Sequence, residues 1–307
     1  MALGRSLILK TAALPPVERL VRHSRLFRPL VSRFIAGDTL AEAMVAAEEL
    51  CSRGIMVSLD FLGESTLSED QALQAKNAYI DIVEAIAKSP NQAMMNISIK
   101  LTQCGFDIRD ELALTHFETL LKAAEPHQTF VRVDMEDSRY TERTIQAIET
   151  LFPKYPFCGT VLQSYLHRSL EDTRRMIQLG ARVRVVKGAY LEPASVAFPS
   201  KAEVDAKYVE MAKLLLKEGH YPAIATHDEK IIAELKEFIR AEGIPNDRFE
   251  WQMIYGIRRD LQDQLRAEGF NIRVYIPYGD QWYPYFMRRL AERPANLLFF
   301  AKSLFKG

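Results

Sequence analysis

Net charge is the first thing this chain lacks: forty basic and forty acidic residues cancel over 307 positions. With no overall electrostatic footprint, nucleic acid is excluded as a partner. Cysteine is scarce. Cys51, Cys104 and Cys158 are odd in number, far apart and form no CxxC pair. That argues against a disulfide framework or a zinc site and for reduced, buried thiols in a cytoplasmic setting. The histidines at 23, 116, 127, 167 and 220 show no ligand spacing, so no metal is expected. No apolar run approaches the ~20 residues of a spanning helix, and a secretory signal pattern is missing. No two of the fourteen glycines lie two positions apart. The GxGxxG turn that often marks an open doubly wound sheet is therefore absent.

What is present suits an ordinary globular chain with a substantial core: 48% hydrophobic and 26% charged residues. Residues 1–36 stand apart, with Arg5, Lys10, Arg19, Arg22, Arg25, Arg28 and Arg33 against the single acid Glu18. Such a stretch reads either as an organelle-targeting peptide or as a helical arm. Val21, Phe27, Leu30, Val31 and Phe34 recur at rough helical spacing, which favours the arm. The division adopted is an N-terminal helical arm over 1–37 and one catalytic domain over 38–307.

Beyond Asp38, strand-like and helix-like segments alternate. Eight short runs, rich in β-branched and aromatic residues and apolar on both faces, are predicted as buried parallel strands: 55–60, 96–101, 130–135, 160–165, 182–188, 222–227, 249–254 and 272–277. The segments between them carry helix signals. Ser68 with Gln71 fits a capping box, Asp228 opens a helical run and Gly243 closes it. Eight strand–helix units predict an α/β fold of (βα)₈ type.

Such a barrel gathers the C-terminal strand ends at one rim, where active sites of this architecture sit. The polar residues expected there are Asp60 and Glu64, Lys100, Asp134, Gln163, Arg184 with Lys187, Thr226 with His227, Gln252 and Tyr275. Lys100, Asp134 and Arg184 each interrupt an apolar strand, and burying such charges is costly unless they are paired. A site that handles charge follows. Duller readings cover the rest: Asp60 as part of a structural network, His227 as a residue near a helix start, Thr226 as a helix-end hydrogen-bonder, Glu136 and Asp137 as solvated loop acids. Gly188 in "VVKGAY" is expected to let a ligand approach the backbone.

The segment "YIPYGDQWYPYFMRRLAERP" follows the eighth strand. Gly279 makes a turn and a helix starts near Trp282–Pro284, since proline is tolerated in a first turn. Tyr285, Arg288, Arg289 and Glu292 then share a broad face. If that face looks into the barrel mouth, two guanidiniums form a fork-shaped clamp for a small carboxylate or phosphate. The competing reading is a surface helix with an Arg–Glu pair worth at most ~1 kcal/mol.

With these residues assembled, the chain resembles the proline dehydrogenase family, in particular its short monofunctional bacterial members. The matching pieces run in order, one per strand: "DFLGE", "SIKLTQ", "VRVDMED", "VLQSYLHR", "VRVVKGAY", "ATHD", "FEWQMIYG" and the arginine segment. The resemblance implies a distorted (βα)₈ barrel with its final helix over the mouth, FAD as hydride acceptor and L-proline as donor. The implied product is Δ1-pyrroline-5-carboxylate, with electrons passed to a membrane quinone. Position by position it implies that Arg288, Arg289 and Lys100 hold the proline carboxylate, and that Tyr275, Tyr285 and Ile254 pack on the ring. Asp134 becomes a site acid and Arg184 the arginine beside flavin N5. Met135, Gln163, Val186, Lys187, Gly188, Ala189, Tyr190, Thr226 and His227 become flavin contacts, and Glu64 the gating partner of Arg288. Ile254 stands where leucine is expected, a near-isosteric departure. An aldehyde dehydrogenase half is not expected, so a separate pyrroline-5-carboxylate dehydrogenase would consume the product. The expected location is the cytoplasm, with peripheral contact to the inner face of the cell membrane through the basic arm or the apolar "NLLFFAKSLF"; packing of that tail onto the barrel is the alternative. Three other functions stay open from sequence: hydroxyproline oxidation, a Schiff-base aldolase using Lys100 or Lys187, and a non-catalytic anion-binding barrel.

Overall fold

Strand and helix alternate through the computed structural model, which describes residues 15–23, 27–63 and 65–292. Two short helices, α1 (Pro15–His23) and α2 (Arg28–Val31), precede α3 (Leu40–Ser52). The repeating part then runs β1 (Met56–Phe61), α4 (Glu69–Ala87), β2 (Met95–Ile99), α5 (Asp110–Ala124), β3 (Val131–Val133), α6 (Ser138–Leu151) and β4 (Cys158–Gln163). It continues with α7 (Ser169–Leu179), β5 (Arg182–Val186), α8 (Lys201–Glu218), β6 (Ala223–Ala225), α9 (Glu229–Ala241), β7 (Glu250–Ile254), α10 (Arg259–Ala267), β8 (Ile272–Tyr278) and α11 (Trp282–Glu292).

All eight strands pair in parallel in sequence order, and β1 closes the barrel on β8 with Val57 opposite Val274 and Leu59 opposite Ile276. The expected barrel is the observed one. Outward-facing residues such as Leu59, Ile97, Val133, Val185, Ile224 and Val274 are buried beneath the helices, which gives the strands an apolar outer face. The inward positions are different in kind: Ser98 and Lys100, Asp134, Arg184, Gln252 and Tyr275 are also largely buried, and they are polar. The three cysteines are free, buried thiols.

The helix signals have local causes. Thr39 and Glu42 form a complete capping box at α3, while Asp137 and Asp228 cap α6 and α9 by accepting from Arg139 and Lys230 N–H. Ser68 caps α4, but the Gln71 side chain reaches back one residue further than a capping box, to the N–H of Leu67. Gly243 lies just past α9 at φ +63, the left-handed conformation for which glycine is suited.

The chain before α3 packs on α11. Val21, Phe27, Phe34 and Ile35 form a second apolar cluster with Trp282, Tyr283, Phe286 and Met287. Arg22 places its guanidinium 5.2 Å from the Trp282 ring and donates to the Asp280 carbonyl at 2.8 Å. The first residues of the arm, Glu64, the Glu292 side chain and the tail "NLLFFAKSLF" lie outside what the structure describes. No helix among the described residues is long and apolar enough to cross a membrane.

Candidate active site

The C-terminal ends of the strands and the inner face of α11 enclose a cavity of about 1280 Å³. That exceeds the ~300–1,000 Å³ of a pocket for one drug-sized ligand, so it has room for a large ligand and a small one together. Every site residue named from the sequence lines it, apart from Glu64, which lies outside the described residues.

The floor is one connected polar cluster. Lys100 on the β2 side pairs with Asp60 at 2.7 Å and lies 3.9 Å from Asp134. Arg184 on β5 donates to Asp134 at 2.8 Å, to Ser98 Oγ at 2.9 Å and, through Nε, to the amide oxygen of Gln252. Tyr275 on β8 donates its hydroxyl to the second oxygen of Asp134 at 2.6 Å, and its ring lies 5.1 Å from the Arg184 guanidinium. Six strands or strand ends, β1, β2, β3, β5, β7 and β8, thus contribute to one patch, because side chains two residues apart on each strand point inward together.

Electrostatics hold this floor in one protonation pattern. Burial pushes the Lys100 amine toward neutrality, but Asp60 and Asp134 outweigh it and hold the ammonium above its usual range. Asp60 is pushed up by its complete burial, with Lys100 opposing. Burial, reinforced by the Asp134 and Asp60 charges, keeps Tyr275 a phenol donor well above its ordinary range. Two cations are thereby matched to two carboxylates. The roof adds two more positive charges: Arg288 and Arg289 are half-buried and line the same cavity, with Arg289 over the Tyr285 ring at 5.4 Å.

The opposite wall is built differently. Gln163 donates its amide to the Glu136 carbonyl at 2.7 Å. His227 Nε2 accepts the N–H of Ile254 at 3.0 Å, which fixes the proton of the neutral ring on Nδ1. Thr226 Oγ1 accepts from the Asp228 N–H at 3.1 Å, just before α9 and not at a helix end as expected. Lys187 is tied to Asp205 at 2.6 Å and to Asp228 at 3.0 Å.

The reading of Glu136 and Asp137 as solvated loop acids is corrected by the structure. Glu136 is not a solvated loop acid: it is buried and accepts from Thr102, from Oγ1 at 2.6 Å and from the backbone N–H at 3.2 Å. Asp137 is a helix cap. Gly188 does line the cavity, but a Cβ there would fall 2.3 Å from the Tyr165 ring, with φ at +113. Glycine is required at 188 by protein packing and backbone shape. Sequence reasoning also missed Ser98 and Asp205. Ser98 stands two residues before Lys100, so strand alternation marked it as inward-facing; nothing local marked Asp205 as the partner of Lys187.

Comparison with known proteins agrees with this architecture. The family model described as proline dehydrogenase matches residues 43–302. Proline dehydrogenase 1 of Bacillus subtilis is 43% identical over 274 residues, 89% of this chain and 90% of that protein. Proline dehydrogenase of Deinococcus radiodurans is 42% identical over 308 residues, 99% of each chain. A crystal structure of proline utilization A from Bdellovibrio bacteriovorus, inactivated by N-propargylglycine, superposes with a TM-score of 0.82 at 24% identity. It covers 94% of this chain, while this chain spans 36% of that longer one, a likeness of fold. With the family model spanning most of the sequence and relatives above 40% identity matching nearly end to end, the chain belongs to the proline dehydrogenase family.

Proposed function

We propose that this protein oxidises L-proline to Δ1-pyrroline-5-carboxylate with FAD as the hydride acceptor, the electrons passing on to a membrane quinone. The observation that carries the reading is the pair Arg288 and Arg289, which line the cavity together with Lys100, Tyr275 and Tyr285. Guanidinium forks bind a carboxylate in a fixed orientation. Tyr275, Tyr285 and Ile254 offer apolar surface for a saturated five-membered ring in the same cavity. A substrate gripped at its carboxylate and walled along its ring is held in one pose, which is the part of hydride transfer that the protein supplies.

The residues present fit the cofactor. The cavity is large enough for an isoalloxazine and its dinucleotide tail beside the substrate. Arg184 presents a guanidinium anchored on three sides, Gln163 and His227 are fixed by backbone groups, and Lys187 brings a cation to the opposite wall. FAD, when bound, supplies the two-electron redox chemistry that no side chain here can perform. We place Glu64 as the gating partner of Arg288. We also place the protein in the cytoplasm, in peripheral contact with the membrane that carries its quinone, and upstream of a pyrroline-5-carboxylate dehydrogenase.

A Schiff-base aldolase is disfavoured: Lys100 is held as an ammonium and Lys187 is bound between two carboxylates, so neither offers a neutral amine. 4-Hydroxyproline should turn over more slowly than proline, since Tyr275 is pinned through its hydroxyl and cannot retreat from a ring substituent. The test is spectral. Purified protein should be yellow, and its flavin should bleach anaerobically with L-proline. A protein that bleaches with no cyclic imino acid does not have this function.

A further inference from the structure

Gln252 is a fully buried amide at the centre of the barrel, joined on both sides to charged groups. Its nitrogen donates to Glu250 Oε1, and its oxygen accepts from Arg184 Nε. The orientation of this amide is forced. Arg184 Nε can only donate, and an ionised Glu250 can only accept, so the oxygen must face the arginine and the NH₂ the carboxylate. Glu250 stays ionised: burial raises its carboxyl, but Arg273, bonded to both oxygens at 3.0 Å, and Arg132 more than offset that and leave it below its ordinary range.

We propose that Gln252 is the neutral positioning residue of Arg184, set in place by Glu250: it holds the guanidinium from below without adding a second negative charge. Arg184 already has one carboxylate partner, Asp134, on its Nη1, and Ser98 takes Nη2. Those bonds and the one to Gln252 use three of its five N–H groups. The third acceptor is the one that decides the local charge. An amide there leaves Arg184 paired with one carboxylate; a carboxylate there would place it between two and leave a net negative charge in the cavity. The chain spends a structural ion pair, Glu250 with Arg273, on orienting that amide, and places both in the layer of side chains below the site.

This inference rests on the proposed flavin reading, in which Arg184 lies beside the ring that gains negative charge on reduction. A negative charge added beside that ring disfavours the reduced form; a neutral amide does not. Gln252→Glu, made together with Glu250→Gln so that no neighbouring carboxylate shares its proton, is therefore expected to weaken binding of the reduced flavin at least tenfold relative to the oxidised, a midpoint potential about 30 mV more negative for a two-electron couple. Gln252→Met removes the acceptor but leaves the charge. Its potential should move by less than a third of that amount, while kcat falls at least fivefold with KM for L-proline within twofold of wild type. Both are measured on flavin-loaded protein, by spectroelectrochemical titration and steady-state kinetics, with melting temperatures alongside. A Gln252→Glu/Glu250→Gln protein that keeps its flavin at the wild-type potential overturns the charge argument. A Gln252→Met protein with unchanged kcat overturns the positioning role, and this variant serves even if the buried glutamate prevents folding. Wild-type protein that binds no flavin would instead remove the proposed function, and this inference with it.

Discussion

Lys100→Met would remove the ammonium that pairs with Asp60 at 2.7 Å and faces Asp134 at 3.9 Å, while keeping most of the side chain's bulk. Asp60 has no exposed surface, so its charge would be left in the barrel uncompensated. Breaking a buried pair from one side costs about 3–5 kcal/mol. An unfolding entropy of about 2.1 cal/mol/K per residue gives roughly 0.6 kcal/mol/K for this length, so the melting temperature should fall by about 5–8 °C. The deficit should depend on pH. In the variant, burial raises the Asp60 carboxyl with no ammonium to oppose it, above the ~3.9 of an unfolded chain. Such a group destabilises most where it is charged in both states, and the penalty is relieved as pH falls from the raised folded value toward the unfolded one. The loss should therefore be larger at pH 8 than at pH 5. Wild-type Lys100 behaves oppositely: its folded value is raised, so its contribution is complete below the ordinary lysine range and constant across this window. Adding Asp60→Asn should recover at least half of the deficit. Thermal melts at pH 5 to 8 decide it. A drop under 2 °C at pH 7, or a deficit that grows as pH falls, would refute the reasoning.

Tyr275→Phe keeps the ring but removes the 2.6 Å bond to Asp134, an effect of about 1–3 kcal/mol on a buried acceptor. We expect kcat/KM for L-proline to fall about tenfold with flavin content unchanged, read by steady-state kinetics and visible absorbance. Gly188→Ala puts a Cβ 2.3 Å from the Tyr165 ring at a positive φ. The cost should be about 2–4 kcal/mol, from overpacking and backbone strain together. Adding Tyr165→Ala should recover only the steric share, a split visible in the melting temperatures.

The barrel was legible because each strand carries β-branched, apolar residues on the face that the helices bury. Strand ends were less so. The third strand, expected over 130–135, forms only from Val131 to Val133, although the Asp134 N–H still bonds to the Ile99 carbonyl. The identities of the site residues were visible as charges interrupting apolar runs. Their pairing was not: Arg184 meets Ser98 and Gln252 across 86 and 68 residues, contacts that only barrel closure creates. Glu136 misled for the same reason. Its burial comes from Thr102 of a neighbouring loop, and its own surroundings in sequence are polar.

The clamp on the substrate carboxylate is tested most directly by comparing L-proline with L-prolinamide in anaerobic single-turnover reduction, in wild type and in an Arg288→Met/Arg289→Met protein. Two charge-assisted hydrogen bonds at about 1.5–3 kcal/mol each correspond to roughly a hundredfold or more in discrimination. Wild type should favour proline by at least that factor, and the double variant by no more than a few fold. Equal reduction of both compounds by wild type, or a preference that survives loss of both arginines, would contradict the account.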